Sequence, residues 1–196
     1  MAIIAFYGRK NLLSNFYEDL ESWDFIVPDQ FSETLSTAYK NKAFTINNSE
    51  VSIMLMKAAL MGDNKSFLEI SQSPSPLVAK KLGRKIRPWN QDIWNSNIEA
   101  VALAALRAKF AAGTGAADAL LSTVPATLVE ASPGDKIWGC GLNCDMVYAA
   151  HANGNDDEWI NAGRNLLGKS LEIIRFELSQ NVGEAPSAAG SADALY

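Results

Sequence analysis

The sequence predicts a mainly α fold of the α+β type, a single compact helical domain with a few short strands. Three observations carry this. Several stretches repeat apolar residues at three- and four-residue steps, short β-branched or aromatic runs lie outside them, and no internal repeat or domain boundary precedes residue 181. The 196 residues are 48% hydrophobic and 20% charged, with mean hydropathy −0.03. At this length about 70% of the unfolded surface can be buried, so the core needs no disulfide or metal staple.

In chain order, residues 2–7 and 23–27 read as short strands, each followed by a breaker, Gly8 and Pro28-Asp29. Leu13-Ser14-Asn15-Phe16 between them reads as a loop, and residues 28–48 show no clear period. Ser49 is then a candidate N-cap for a helix whose Ile53, Met54, Lys57 and Met61 share a stripe, stopped by Gly62. Residues 66–71 form a short helix, and Ser75-Pro76 opens another that ends at Gly83. The longest helix is expected over 91–112, on Trp94, Ile98, Val101, Ala105 and Leu106, with Gly113 and Gly115 closing it. Residues 116–122 are a further helix, 127–130 a strand, 131–162 a loop-rich stretch, and 165–178 the last helix. The folded domain is therefore placed at residues 1–180. A polar, Ala/Ser/Gly-rich tail over 181–196 is expected to be disordered.

Composition narrows the function. A net charge of −5 opposes broad electrostatic gripping of a nucleic-acid backbone but leaves room for a local phosphate pocket. Cys140 and Cys144 are the two cysteines and His151 the one histidine, too few donors for a four-ligand structural zinc site, so no metal is expected. The start of the chain lacks a signal-peptide pattern, and no apolar run approaches the ~18 residues of a membrane span. A cytoplasmic protein with no membrane partner is expected.

Four local features carry chemistry. Glu50 and Lys57 stand seven residues apart on one helix face, about 10 Å along the axis, with apolar Ile53 and Met54 between them. Either both line a cavity wide enough to bracket a ribose, or both snorkel to water from a helix edge. Lys109 continues the apolar stripe of Val101 and Ala105. It is either a desolvated amine of lowered pKa or a C-terminal cation meeting the helix dipole. The segment from Glu130 through Asp135 to Trp138, with Gly139 and Gly141, is either a binding loop with an indole stacking face or a Trp-anchored turn. Gly163-Arg164-Asn165 opens the last helix, a phosphate seat if its amides are free, or a close-packing device through Gly168.

In order and spacing these features resemble the NADAR family of YbiA-like N-glycosidases. The resemblance runs over residues 3–178, from Leu13-Ser14-Asn15-Phe16-Tyr17 through Ser49-Glu50, Lys57-Ala58, Pro76, Ala79-Lys80, Gly83-Arg84, Trp94 and Lys109-Phe110. Its most specific parts are Leu128-Val129-Glu130-Ala131-Ser132-Pro133 with Asp135, Trp138-Gly139 and Gly141, and Gly163 with Asn165-Leu166-Leu167-Gly168, Leu171 and Arg175. The chain departs from the pattern at Val51 and Ser52, where the family often carries His or Gln followed by an aromatic residue, and in the length of residues 28–48.

The resemblance implies hydrolysis of a ribose C1′–amine bond without a cofactor, through a catalytic lysine that forms a Schiff base with the opened ribose. Lys57 is then the nucleophile, with Lys109 as the alternative, Glu50 the acid/base and Asp135 a ribose or proton-transfer partner. Asn15, Phe16, Trp94, Phe110, Glu130, Trp138, Gly139 and Gly141 are expected to contact substrate, with Arg84, Gly163 and Asn165 taking phosphate. The implied substrate is a small-molecule riboside or ADP-ribosylated guanine, in a nucleoside or in DNA. Phosphoribosylated riboflavin intermediates are the alternative. A non-catalytic ADP-ribose or NAD sensor and a pure interaction domain are the readings from other classes.

Overall fold

Two distant chain segments meet in the scaffold of the molecule. The computed structural model describes residues 2–183, with side chains through Gln180. Strand β1 (Ile3–Phe6) pairs in parallel with β4 (Thr127–Glu130), Ile3 opposite Thr127 and Phe6 opposite Glu130. Their side chains alternate between two layers. Phe6 and Leu128 face one apolar cluster, while Ala5 and Val129 face another. A second pair, β2 (Trp23–Ile26) and β3 (Ala43–Ile46), is antiparallel.

The remaining elements are helical: α1 (Ser49–Leu60), α2 (Asn64–Ser71), α3 (Pro76–Gly83), α4 (Gln91–Lys109), α5 (Gly115–Leu121), α6 (Cys144–Ala152), α7 (Asp157–Ile160) and α8 (Leu166–Gly183). Local chemistry starts most of them. Asp63, Ser75, Asn90, Thr114 and Asn143 each accept a backbone N–H of the helix that follows. Helix α1 is capped by Asn48 rather than by Ser49. The Asn48 side chain accepts the Val51 N–H at 3.0 Å, and Ser49 becomes the first helical residue.

Helix α1 is the central element. Ten of its twelve residues are buried, which is how a helix behaves when neighbours cover every side. It packs on α2, α3 and α4, and its cluster includes Phe25, Phe31, Phe44 and Phe67. A second cluster, with Phe6, Leu106, Phe110, Leu120 and Leu171, lies where α4 and α5 meet α8. Fully burying a side chain such as Phe67 contributes about 1.5–3 kcal/mol. Trp138 touches both clusters and so marks their seam.

The mainly helical α+β expectation holds, and the differences have local causes. Residues 28–48 contain β3, whose exposed–buried alternation over four residues is too short to stand out from its polar flanks. The stretch 131–162 contains α6 and α7. Helix α6 buries only Val147 and Ala150, so it carries no broad apolar stripe to read. Helix α4 stops at Lys109, not at 112, and α8 runs to Gly183, past the expected end at 178. Of the proposed tail, residues 181–183 therefore continue α8, and 184–196 lie outside the described residues.

Candidate active site

Both parallel strands run out at the same edge, and a cavity of about 530 Å³ opens there. Tyr7-Gly8-Arg9 follow β1 into its wall, Glu130 ends β4 there, and Ser132, Asp135 and Trp138 follow it. Helix α1 supplies Glu50, Met54 and Lys57 from one face, and α3 supplies Lys80, followed by Arg84. Trp94 of α4 and the strap Ser14-Asn15-Phe16 close the sides. A crevice beyond the carboxyl ends of parallel strands is the usual ligand position in open α/β sheets, and the same geometry operates in this smaller pair.

The charged groups are perturbed in opposite directions. Glu50 is only 5% exposed, and burial raises its pKa to about 7 against the opposing pull of Lys80 and Lys57. Glu130 is 7% exposed and is raised to about 8, by burial first and then by Asp135. Its Oε2 is buried without a hydrogen-bond partner among the described residues. Burial lowers the pKa of Lys57, although Glu50 works against the shift. The Lys57 ammonium lies 4.6 Å from the Trp89 ring centre and 5.2 Å from that of Trp94, and Lys80 lies 4.9 Å from that of Phe16. Acids held near neutrality beside an amine of lowered pKa suit proton transfer and nucleophilic attack.

The match to the NADAR domain model spans residues 5–179. The chain belongs to the NADAR family. It is 37% identical over 133 residues to an N-glycosidase of Acanthamoeba polyphaga mimivirus, covering 68% of this chain and 75% of that one. It is 31% identical over 177 residues to the Caenorhabditis elegans protein irg-1, covering 89% and 79%. The N-glycosidase YbiA of Escherichia coli is 41% identical over 118 residues, 60% of this chain and 62% of the relative. The solution structure of E. coli YbiA superposes with a TM-score of 0.64 at 29% identity, covering 96% of this chain and 92% of that one.

This NADAR chain brings Asn15, Phe16, Glu50, Lys57, Arg84, Trp94, Glu130, Asp135 and Trp138 to one cavity. The other sequence-derived candidates stand outside its lining, each for a visible reason. Lys109 is 3% exposed and donates to the carbonyls of Leu12 at 2.7 Å and Ser14 at 3.1 Å, so its amine is spent on the strap and does not line the cavity. Burial lowers its pKa to about 8 while Asp19 holds it up. Phe110 is fully enclosed in the second core cluster.

The expected phosphate seat at the start of α8 is closed. The N–H groups of Arg164, Asn165, Leu166 and Leu167 donate to the carbonyls of Lys136, Gly139, Ile137 and Trp138, leaving none of the four for an anion. A Cβ on Gly163 would stand 2.8 Å from the Gly139 carbonyl oxygen, and one on Gly139 would stand 2.7 Å from that of Glu130. Those glycines allow backbone to touch backbone rather than ligand. Gly141 makes its turn at φ +82° and bridges to Pro133. Asn165, at φ +48°, donates from Nδ2 to the Leu128 carbonyl at 2.8 Å and accepts the Glu130 N–H on Oδ1 at 2.9 Å. It holds the strand end that carries Glu130.

Asp135 has a double duty. Its Oδ1 accepts the N–H groups of Ile137 at 3.1 Å and Trp138 at 2.9 Å, which fixes the turn presenting the indole to the cavity. Sequence reasoning missed Trp89, whose contact with Lys57 depends on the loop after α3. It also left Lys80 as a motif letter and treated Glu130 as a binding group only. The Glu-Ala-Ser-Pro run was the available signal for Glu130, since a carboxylate at the end of a buried strand seldom lies free in water.

Proposed function

We propose that this NADAR protein is an N-glycosidase that hydrolyses the ribose C1′–amine bond of a phosphorylated N-riboside, with ADP-ribosylated guanine as the substrate to test first. The observation supporting it best is the convergence on one cavity of a lowered-pKa amine, Lys57, with two raised carboxyls, Glu50 and Glu130. A sugar-sized reacting centre fits between such groups. The cavity volume lies within the range of pockets that hold cofactor-sized ligands.

In this reading neutral Lys57 attacks C1′. The C1′–N bond breaks, its electron pair leaves with the amine, and Glu50 in its acid form supplies the proton that the departing nitrogen takes. The glycosyl-lysine opens to an imine as the ring oxygen gains a proton. Water adds to the imine carbon, the carbon–lysine bond breaks, and the reducing sugar and the free amine are released. Glu130 is the nearby proton reserve, Asp135 faces the ribose hydroxyls, and Lys80 and Arg84 take phosphate. Phe16, Trp94 and Trp138 wall the sugar and base.

The test combines borohydride trapping with product chromatography, using ADP-ribosylated guanosine beside phosphoribosylated riboflavin precursors. A reduced ribose adduct mapped by mass to Lys57 is expected, together with its loss and an activity drop of about a thousandfold or more in Lys57→Ala. No adduct on any lysine sinks the imine route. No cleavage of any riboside despite measurable ADP-ribose binding turns the protein into a sensor.

A further inference from the structure

Lys109 has no place in the chemistry above, yet it is a lysine amine buried almost completely in the molecule. Its position at the last turn of α4 brings it against the strap of residues 12–19. Two of its protons go to the carbonyls of Leu12 and Ser14. Asp19 Oδ2 lies 3.6 Å away with no hydrogen-bond partner of its own among the described residues, and the Tyr17 and Phe110 ring centres lie 5.2 and 5.4 Å from the amine. The cation is thus enclosed by one stretch of strap on one side and a core ring on the other.

That strap has no ladder or helix of its own among the described residues. Besides its own turns, the buried Leu13 side chain and the Lys80 contact on Phe16, it is tied through Asp19, whose N–H donates to the Asn47 carbonyl at 2.8 Å, and through Asn15. The Asn15 carbonyl accepts the Glu50 N–H at 3.1 Å, and its Oδ1 accepts the Ser49 hydroxyl at 2.8 Å. The strap therefore crosses the first turn of α1, and the residues it delivers to the cavity are Asn15 and Phe16. A peptide stretch without a ladder or helix of its own keeps one conformation only if its carbonyls find fixed donors. Lys109 supplies those donors from the last turn of α4.

We propose that Lys109 is a positioning residue that clamps the 12–19 strap against α4 and thereby holds Asn15 and Phe16 at the substrate. This rests on the cavity described above being the substrate site, but the clamp itself is a statement about the strap and is testable without turnover. The consequence for binding is specific. Substrate would meet a disordered wall when the clamp is lost, so affinity falls, while Lys57 and Glu50 remain on a helix whose Val51 N–H Asn48 still caps.

The experiment uses the full chain with Lys109→Met, which keeps the stem and removes the donors, and Asp19→Asn, which leaves Lys109 its two carbonyls but weakens its setting. Amide exchange over residues 14–17 and at Glu50 is expected to accelerate tenfold or more in Lys109→Met, with the α1 amides from Val51 onward unchanged. KM is expected to rise tenfold or more, with kcat within threefold and the borohydride adduct still forming on Lys57. Asp19→Asn moves the same readings less, and it decides the matter if Lys109→Met does not fold. Unaltered exchange over the strap, or a fall in kcat at constant KM, overturns the clamp. Loss of the adduct in Lys109→Met while Lys57→Ala retains it would make Lys109 the nucleophile instead. If the native protein cleaves no riboside, the functional reading fails while the exchange data still decide the clamp.

Discussion

Helix α1 and the start of α8 both carry motifs that suggest a ligand seat, and the two regions have opposite fates. On α1, Glu50 and Lys57 face a cavity and are perturbed by burial, and neither is consumed by a salt bridge within 4 Å among the described residues. At α8, the amides from Arg164 to Leu167 are all spent on the 136–139 carbonyls, and the glycines are filled by neighbouring backbone. Motif spacing cannot separate these cases. Unspent capacity can: a group available to a ligand is one whose charge or hydrogen bonds the fold has paid to isolate and left unsatisfied.

That contrast is open to experiment, and the largest effect is expected on α1. Glu50→Gln should lower kcat by roughly a hundredfold or more, the scale of a lost proton donor. Glu50 acts in its protonated form, which is present below its raised pKa of about 7. Native activity is therefore expected to decline as pH rises through about 7, and a pH–rate profile should lose that limb in the Gln variant. An unchanged profile would move the acid elsewhere, with Glu130 the first alternative.

A smaller effect, of another kind, is expected on α8. Gly168→Ala drives a Cβ into the Leu128 carbonyl oxygen and the Asn165 side chain. Overpacking of this sort costs about 1–3 kcal/mol of stability. Below its lowered melting temperature the variant should keep the KM of the native protein within about twofold. If KM rises strongly while melting is unchanged, the α8 start is a binding element after all and the contrast fails.

The smallest effect is a gain. Glu130 is raised to about 8 in the folded protein against an ordinary value of 4.5, so the folded state holds its proton more tightly than the unfolded chain. The stability this carboxyl contributes is full below about 4.5 and is lost as pH rises toward 8. Glu130→Gln removes the charge that must be buried above that range. Its melting temperature relative to the native protein should therefore rise between pH 5 and pH 8.5, while activity falls. Thermal melts at the two pH values check it, and an equal shift at both would show that Glu130 is not buried as a strained acid.

Much of this was legible in the linear chain. The apolar steps of α1, α3, α4 and α8 and the Ser75-Pro76 start follow from local periodicity and capping, which act within a few residues. Short elements were harder to read. The four residues of β3 and the narrow buried face of α6 carry too few periods to rise above their surroundings.

By itself the sequence determined the helical class, the face shared by Glu50 and Lys57, and the candidate set of acids, amines and aromatics, because those depend on spacing along one element. The tertiary structure alone decided which candidates meet. It turned Lys109 toward the Leu12 and Ser14 carbonyls, closed the α8 amides against the 136–139 loop, and set Trp89 beside Lys57. The reason is physical: whether a donor is free or spent depends on which distant carbonyl arrives within 3 Å of it, and that distance is a property of packing between elements.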